Sequence, residues 1–336
     1  MICKAITKII EGENLTRTEA IAVMTEIMEG SATPAQIGSF ITAMRMKGET
    51  VEEITGFACV MRAMATKVKC KSEKVIDTCG TGGDGLHTFN ISTACALVAA
   101  GAGAIVAKHG NRSVSSSCGS ADVLKELGVN IEADVAVVEK CLDETGIGFL
   151  FAPLLHKAMK HAIGPRREIG IRTVFNILGP LTNPAGAKSQ LMGVYNPDLT
   201  ETLANVLKNL GSERVFVVHG EDGEDEISIT GRTKISELRD GNIHNYTVNP
   251  EDFGLRKALL KEIIGGDAKE NAGILLSILD GEKGAKRNAV VLNAAAVLVS
   301  AGIANDLKSG ISIAEESIDS GRARQKLNDL IKCSNS

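Results

Sequence analysis

Four short stretches of this chain hold side chains and backbone able to do chemistry on a phosphorylated substrate. The first is Asp77-Thr78-Cys79-Gly80-Thr81-Gly82-Gly83-Asp84-Gly85, behind the β-branched run Val75-Ile76. Its glycines leave backbone N–H groups bare, so they can close around an anion with no Cβ in the way. The second is Lys108-His109-Gly110-Asn111-Arg112, followed by the serine-rich 113–120 and Asp122. It sets two cations and a row of hydroxyl and N–H donors at the end of the next apolar run. The third, Glu221-Asp222-Gly223-Glu224-Asp225-Glu226, offers hard oxygen ligands suited to Mg²⁺. The fourth is Gly164-Pro165-Arg166-Arg167-Glu168, whose planar guanidinium groups fork onto carboxylates.

Gly80, Gly82 and Gly85 also satisfy G-x-G-x-x-G, the dinucleotide fingerprint. That fingerprint needs an acidic residue at the end of the following strand, to hold a ribose 2′-hydroxyl. Here the following apolar run, 104–107, ends in Lys108 and Arg112, so the position is cationic where it should be anionic. More phosphate, not a ribose diol, is expected there. No G-x-x-x-x-G-K-[ST] occurs, which argues against a P-loop nucleotidase. Between the glycine and lysine stretches lies Thr88-Phe89-Asn90-Ile91-Ser92-Thr93, leading into an apolar helix at 94–100. Capping that helix uses one such polar side chain, and the surplus suits a phosphate or a metal-bridged pyrophosphate. An acid run is ordinarily a solvated turn, and a lone arginine ordinarily pairs with a nearby carboxylate such as Glu168. Beside a pyrophosphate cradle the acids read as Mg²⁺ ligands.

The elements that must position these stretches fall into two textures. The first 72 residues are helical: Thr16-x-x-Glu19 and Thr50-x-x-Glu53 are capping boxes, and Thr33-Pro34 opens a helix with proline at its first position. These helices are expected to close at Gly30, at Gly48 and near Lys67. From residue 73 on, short apolar runs at 75–76, 104–107, 147–151, 191–195 and 215–218 alternate with segments long enough for crossover helices. Continuous apolar runs of this kind belong to strands buried on both faces. The fold class is therefore α/β: a large domain (73–336) with a mostly parallel central sheet flanked by helices, and a small all-helical N-terminal domain (1–72). Helices within 153–185 are expected to pack on the small domain. A hairpin-like antiparallel excursion is expected at 231–248, an apolar helix at 288–302 and one amphipathic stretch at 313–331.

Bulk composition narrows the class. The 336 residues carry a net charge of −4, so nothing draws the chain as a whole to nucleic acid or to acidic membranes. Aromatics are 3% with no tryptophan, too few for base-stacking platforms. Eight cysteines show no C-x-x-C pair, which fits reduced thiols in a cytoplasmic protein. No apolar run reaches about 18 residues, and the N-terminus has no signal-peptide pattern.

Taken in order, the glycine loop, Thr88 to Thr93, Lys108 to Ser117, Gly119-Ser-Ala-Asp122, Arg166-Arg-Glu168, Asn176-x-x-Gly-Pro-Leu-Thr-Asn-Pro184 and Gly265-Gly-Asp-Ala-Lys-Glu-Asn271 resemble the anthranilate phosphoribosyltransferase family over the whole chain. The resemblance implies an enzyme, a pentosyltransferase of tryptophan biosynthesis. It would join the phosphoribosyl group of phosphoribosyl pyrophosphate (PRPP) to the amine of anthranilate and release pyrophosphate. It further implies Mg²⁺, two ions per site, and a homodimer formed through the helical domain, with no nucleic-acid or membrane partner. By the same likeness Gly80, Gly83, Asp84, Thr88, Asn90, Ile91, Ser92 and Thr93 line the PRPP site. So do Lys108, His109, Gly110, Asn111, Arg112, Ser113, Val114, Ser115, Ser116 and Ser120. Ser92, Asp225 and Glu226 would hold Mg²⁺. Gly80, Asn111 and Arg166 would meet anthranilate, with His109 and His156 walling its channel. No general base is implied. Glu224 departs from the family pattern, where an apolar residue is expected, as does Lys157 after His156. A pyrimidine nucleoside phosphorylase shares the glycine loop and the lysine stretch but usually carries a further C-terminal domain. A non-catalytic, nucleic-acid-binding relative is the other alternative, and it should be basic overall.

Overall fold

A computed structural model describes residues 1–113 and 118–336. Four helices open the chain: α1 (Ile2–Ile10), α2 (Arg17–Met28), α3 (Pro34–Lys47) and α4 (Val51–Met64). Thr16, Thr33 and Thr50 each accept the N–H three residues on, and Glu19, Gln36 and Glu53 return the bond, so the expected start signals all form. The fourth helix stops at Met64, short of Lys67. Beyond it the backbone is drawn into other bonds: Thr66 N–H donates to the Leu155 carbonyl and Val68 N–H to that of Pro184.

The α/β part is β1 (Val75–Gly80), α5 (Ile91–Gly101), β2 (Ile105–Gly110), α6 (Ser120–Glu126), α7 (Val135–Thr145) and β3 (Ile147–Phe151). It continues through α8 (Ala152–Leu155), α9 (Lys160–Ile169), α10 (Phe175–Leu178), β4 (Ser189–Gly193), α11 (Leu199–Asn209) and β5 (Arg214–Gly220). The chain ends with β6 (Thr233–Arg239), β7 (Asn242–Val248), α12 (Ala268–Leu279), α13 (Ala285–Ser300), α14 (Leu307–Asp319) and α15 (Arg322–Ser334). The seven strands form one sheet in the order β3-β2-β1-β4-β5-β6-β7. The first five are parallel, and β6 and β7 add the antiparallel hairpin, turned by Asp240 and Gly241 at φ +52° and +74°. In place of one amphipathic stretch over 313–331 there are two helices. The break is at Ser320-Gly321, where Gly321 takes φ +76°.

Side chains alternate across the sheet as strand geometry requires. Leu191, Phe216 and Val218 join a core built with α5, α12, α13, α14 and α15. Met192, Val215 and Val217 join the opposite core, which also holds Val23, Phe40 and Phe57 of the N-terminal helices and Ala162, Phe175 and Leu178 of the 153–184 segment. That segment has no strand among its residues, and its Ala162, Phe175 and Leu178 share a core with the N-terminal helices. Among the described residues no helix is long and apolar enough to cross a membrane.

Candidate active site

Strand order reverses beside β1: the chain runs from β1 through β2 to β3 on one side and from β4 to β5 on the other. In an open parallel sheet this switch point, at the carboxyl ends of the strands, is where a crevice forms. Here β1, β2, β4 and β5 end in Gly80, Gly110, Gly193 and Gly220. Gly80 and Gly193 are paired in register. Asp225 lies across both: a Cβ on Gly193 would collide with its carbonyl, and one on Gly80 with its carboxylate. Its Oδ2 accepts Gly82 N–H at 2.8 Å. Gly82 and Gly83 take φ +67° and +77°, consecutive left-handed positions that open the glycine loop. Helix α5 begins only at Ile91, well beyond Gly85. A dinucleotide site opens its helix directly from the glycine turn, so the loop's geometry also excludes that fingerprint.

The start of α5 is held from three directions. Asn90 occupies the cap position, yet its side chain makes no cap bond. Its Nδ2 donates to the Cys118 carbonyl (3.1 Å) and its Oδ1 accepts from Asn271 Nδ2 (3.0 Å). Thr88 pairs with Ile264, and Gly265 packs so closely on Phe89 that a Cβ would sit 2.7 Å from its Cα. The Gly265–Asn271 motif thus braces the Thr88–Asn90 turn, a role its sequence did not disclose. Ile91 and Thr93 turn into the core, and their N–H groups are bound to the carbonyls of Phe89 and Asn90. Ser92 faces the crevice side: its N–H donates to Glu226 Oε1 (3.1 Å) and its hydroxyl accepts from Lys108 Nζ (3.2 Å). Lys108 is only 3% exposed and donates chiefly to the Thr78 carbonyl at 2.6 Å. The cation read as a direct phosphate contact therefore sits beneath Ser92.

Negative charge accumulates at this point. Burial, reinforced by Asp84, pushes the Asp225 carboxyl up to about 6, and burial beside Asp225 pushes Glu226 well above the usual range. Glu224 is 1% exposed, both its oxygens lack a hydrogen bond, and burial together with Asp222 raises it to about 8. Among the described residues no three acidic, histidine or cysteine side chains already converge as a complete cage. Hard oxygens in surplus over Lys108, with buried orphaned carboxylate atoms alongside, fit Mg²⁺ completed by substrate oxygens.

The stretch after β2 is closed by Asp122. Its Oδ2 accepts Ser113 N–H (3.0 Å) and Gly119 N–H (2.9 Å), and its Oδ1 lies 3.5 Å from Arg112. Arg112 also pairs with Glu132 at 3.3 Å and stacks on Phe151. Asn111 is exposed, its Oδ1 accepting Arg112 N–H, while the Ser120 hydroxyl lies under Gly110. Val114, Ser115 and Ser116 lie outside the described residues.

Arg166 stands in the last turn of α9, half-buried, with its guanidinium 5.1 Å from the centre of the Phe175 ring. Neither it nor Arg167 pairs with Glu168, and among the described residues no carboxylate meets Arg166. Pro165 lies inside the helix, not at its start. Burial without a partner lowers the Arg166 pKa. No direct contact joins it to Gly80 or Asn111. His109 and His156 are buried ring against ring, centroids 5.1 Å apart, and both Nε2 atoms lack partners. Sequence reasoning missed Arg172, which lies against Gly83 and 4.5 Å from the centre of the Tyr195 ring. The signal available was a third arginine six residues beyond Arg166, in the same strand-free segment.

Models of a glycosyl transferase family match the chain twice, its helical bundle domain at residues 4–65 and its α/β domain at residues 72–324. Anthranilate phosphoribosyltransferase of Acetivibrio thermocellus is 58% identical over 336 residues, covering 100% of this chain and 97% of that one. The enzyme of Pelotomaculum thermopropionicum is 59% identical over 332 residues, 99% of this chain and 96% of the other. Among solved structures, anthranilate phosphoribosyltransferase from Thermus thermophilus superposes with a TM-score of 0.94 at 42% identity, covering 99% of each chain. The Saccharomyces cerevisiae enzyme in complex with PRPP and Mg gives 0.90 at 29% identity, over 99% of this chain and 98% of that one. With the strand-end crevice, the acids above Ser92 and an unpaired Arg166 in their expected order, the chain belongs to the anthranilate phosphoribosyltransferase family.

Proposed function

We propose that this chain transfers the phosphoribosyl group of PRPP to the amine of anthranilate at the β1/β4 switch point. The observation that carries this is the meeting of the glycine loop, Ser92, Asp225 and Glu226 there. The C1–oxygen bond to pyrophosphate breaks and a C1–nitrogen bond forms, with positive charge developing on the ribose ring. PRPP lies along Gly80, Gly83, Asp84, Thr88, Asn90, Ser92, residues 110–116 and Ser120, with Ile91, Thr93, Lys108 and His109 buried behind that wall. Ser92, Asp225 and Glu226 would hold Mg²⁺, in keeping with a yeast relative solved with PRPP and Mg, and the surplus of buried acids there would suit two ions per site. When bound, Mg²⁺ neutralises charge on the departing pyrophosphate. Lys108 fixes the Ser92 hydroxyl and adds positive potential from below. Arg166 takes the anthranilate carboxylate, with Gly80 and Asn111 at the ring; a yeast relative is solved with 4-fluoroanthranilate. The aniline nitrogen is neutral near pH 7, so holding it in line supplies rate without a general base.

Mixing the chain with PRPP, Mg²⁺ and anthranilate should consume anthranilate fluorescence. An undiminished signal at high enzyme would reject the assignment, and phosphorolysis of pyrimidine nucleosides would replace it. The division near residue 72 belongs to the same reading, as does a homodimer through the helical part. The dimer is supported by Ile10 and Met46, 73% and 83% exposed on α1 and just inside α3, and light scattering would test it. A cytoplasmic setting is in keeping with Cys95 and Cys141 as buried thiols.

A further inference from the structure

Arg172 is exposed at the lip of the crevice and belongs to neither cation set described above. It follows α9, on the segment that carries Arg166, yet it reaches the other wall. One Nη donates to the Gly83 carbonyl, and a Cβ on Gly83 would stand 2.6 Å from that nitrogen. The guanidinium lies 4.5 Å from the centre of the Tyr195 ring. Tyr195 is itself fastened to the glycine loop, its N–H donating to Thr81 Oγ1 at 3.1 Å. Arg172 is therefore anchored to the loop by a ring and a carbonyl. A guanidinium has five N–H donors in a fixed fork. Among the described residues only the Gly83 carbonyl accepts from Arg172, and no carboxylate pairs with it. A guanidinium resting on one carbonyl beside left-handed glycines has donors left that suit an oxyanion.

We propose that Arg172 binds the pyrophosphate of PRPP, using the Tyr195 ring to aim its unused donors into the glycine loop. The inference rests on the PRPP reading of that loop. It favours the pyrophosphate over the anthranilate carboxylate because every contact of Arg172 is with the loop side.

Calorimetric titration of PRPP with Mg²⁺ into the full chain tests this without requiring turnover. Loss of one charge-assisted bond should weaken PRPP binding about tenfold in Arg172→Ala. Arg172→Lys should be intermediate, because charge remains but the stacked fork is lost. Inorganic pyrophosphate should weaken in parallel, and melting temperatures should match the parent, since the side chain is exposed. Equal PRPP affinity in parent and Arg172→Ala overturns the proposal. So does an unchanged PRPP affinity with a raised KM for anthranilate, which would put Arg172 with Arg166. A parent chain that binds no PRPP would instead reject the functional reading beneath it.

Discussion

Arg166 is half-buried against Phe175 and, among the described residues, no carboxylate pairs with it, so its charge has lost water without a partner of opposite sign. A substrate carboxylate offsets that desolvation through a bidentate pair of about 1.5–3 kcal/mol. Arg166→Ala is therefore expected to raise the KM for anthranilate by about tenfold or more on the same energy scale, with a much smaller change for PRPP. Steady-state kinetics varying each substrate reads this directly, and equal rises for both would remove Arg166 as the anchor. Asp225 and Glu226 present the opposite imbalance, two buried carboxyls raised by burial and by neighbouring acids, with Lys108 lowering Glu226 only in part. Changing both to Ala should shift the Mg²⁺ dependence of the rate to higher concentration. An unaltered Mg²⁺ titration would take both acids out of the ligand set.

At the scale of elements, the site depends on four strands that end in glycine. Gly193 is the tightest: the Asp225 carbonyl occupies the space a Cβ would need, and Gly80 faces the same residue from the neighbouring strand. Gly193→Ala must push the Asp225 turn outward. The expected results are a destabilisation of about 1–3 kcal/mol, typical of overpacking, and weakened Mg²⁺ use. Gly164→Ala, with open space at its Cβ inside α9, should hold or slightly raise the melting temperature. Equal melting temperatures for both variants would mean that the close approach at Gly193 is not rigid. Sequence carried much of this frame, because its signals are local. Capping threonines start α2, α3 and α4, and apolar runs buried on both faces mark β1 to β5. What it could not carry depends on partners far along the chain. Nothing near Lys108 says that its ammonium ends under Ser92, and nothing near Asn271 says that it reaches Asn90. The break between α14 and α15 was legible at Gly321, but the apolar period on either side masked it.

For the molecule as a whole, the N-terminal helices and one face of the sheet share a single core, so the two parts should lose structure together. His109, on β2, and His156, after α8, meet beside this junction, buried and uncharged. Burial, with the mutual influence of the two rings, lowers His109 to about 3; burial and nearby Lys67 lower His156 to about 4. An unfolded histidine titrates near 6.5. Between those limits the unfolded chain binds protons that the folded chain refuses, so stability is fully present above about 6.5 and falls as pH drops. Each histidine can contribute a slope of at most about 1.4 kcal/mol per pH unit, His156 levelling off near 4 and His109 near 3. The raised carboxyls of Asp225 and Glu226 act in the other direction, favouring the folded state in acid, so the parent's net curve mixes both signs. A difference between two chains cancels the shared carboxyls. His156→Asn cannot take up a proton in this range, so its denaturation midpoint should fall less steeply than the parent's from pH 6.5 to 4. The parent's stability minus the variant's should decline steadily toward the acid end, whatever the offset at neutral pH. Parallel curves across that window would show that His156 does not help set the acid limit of the fold.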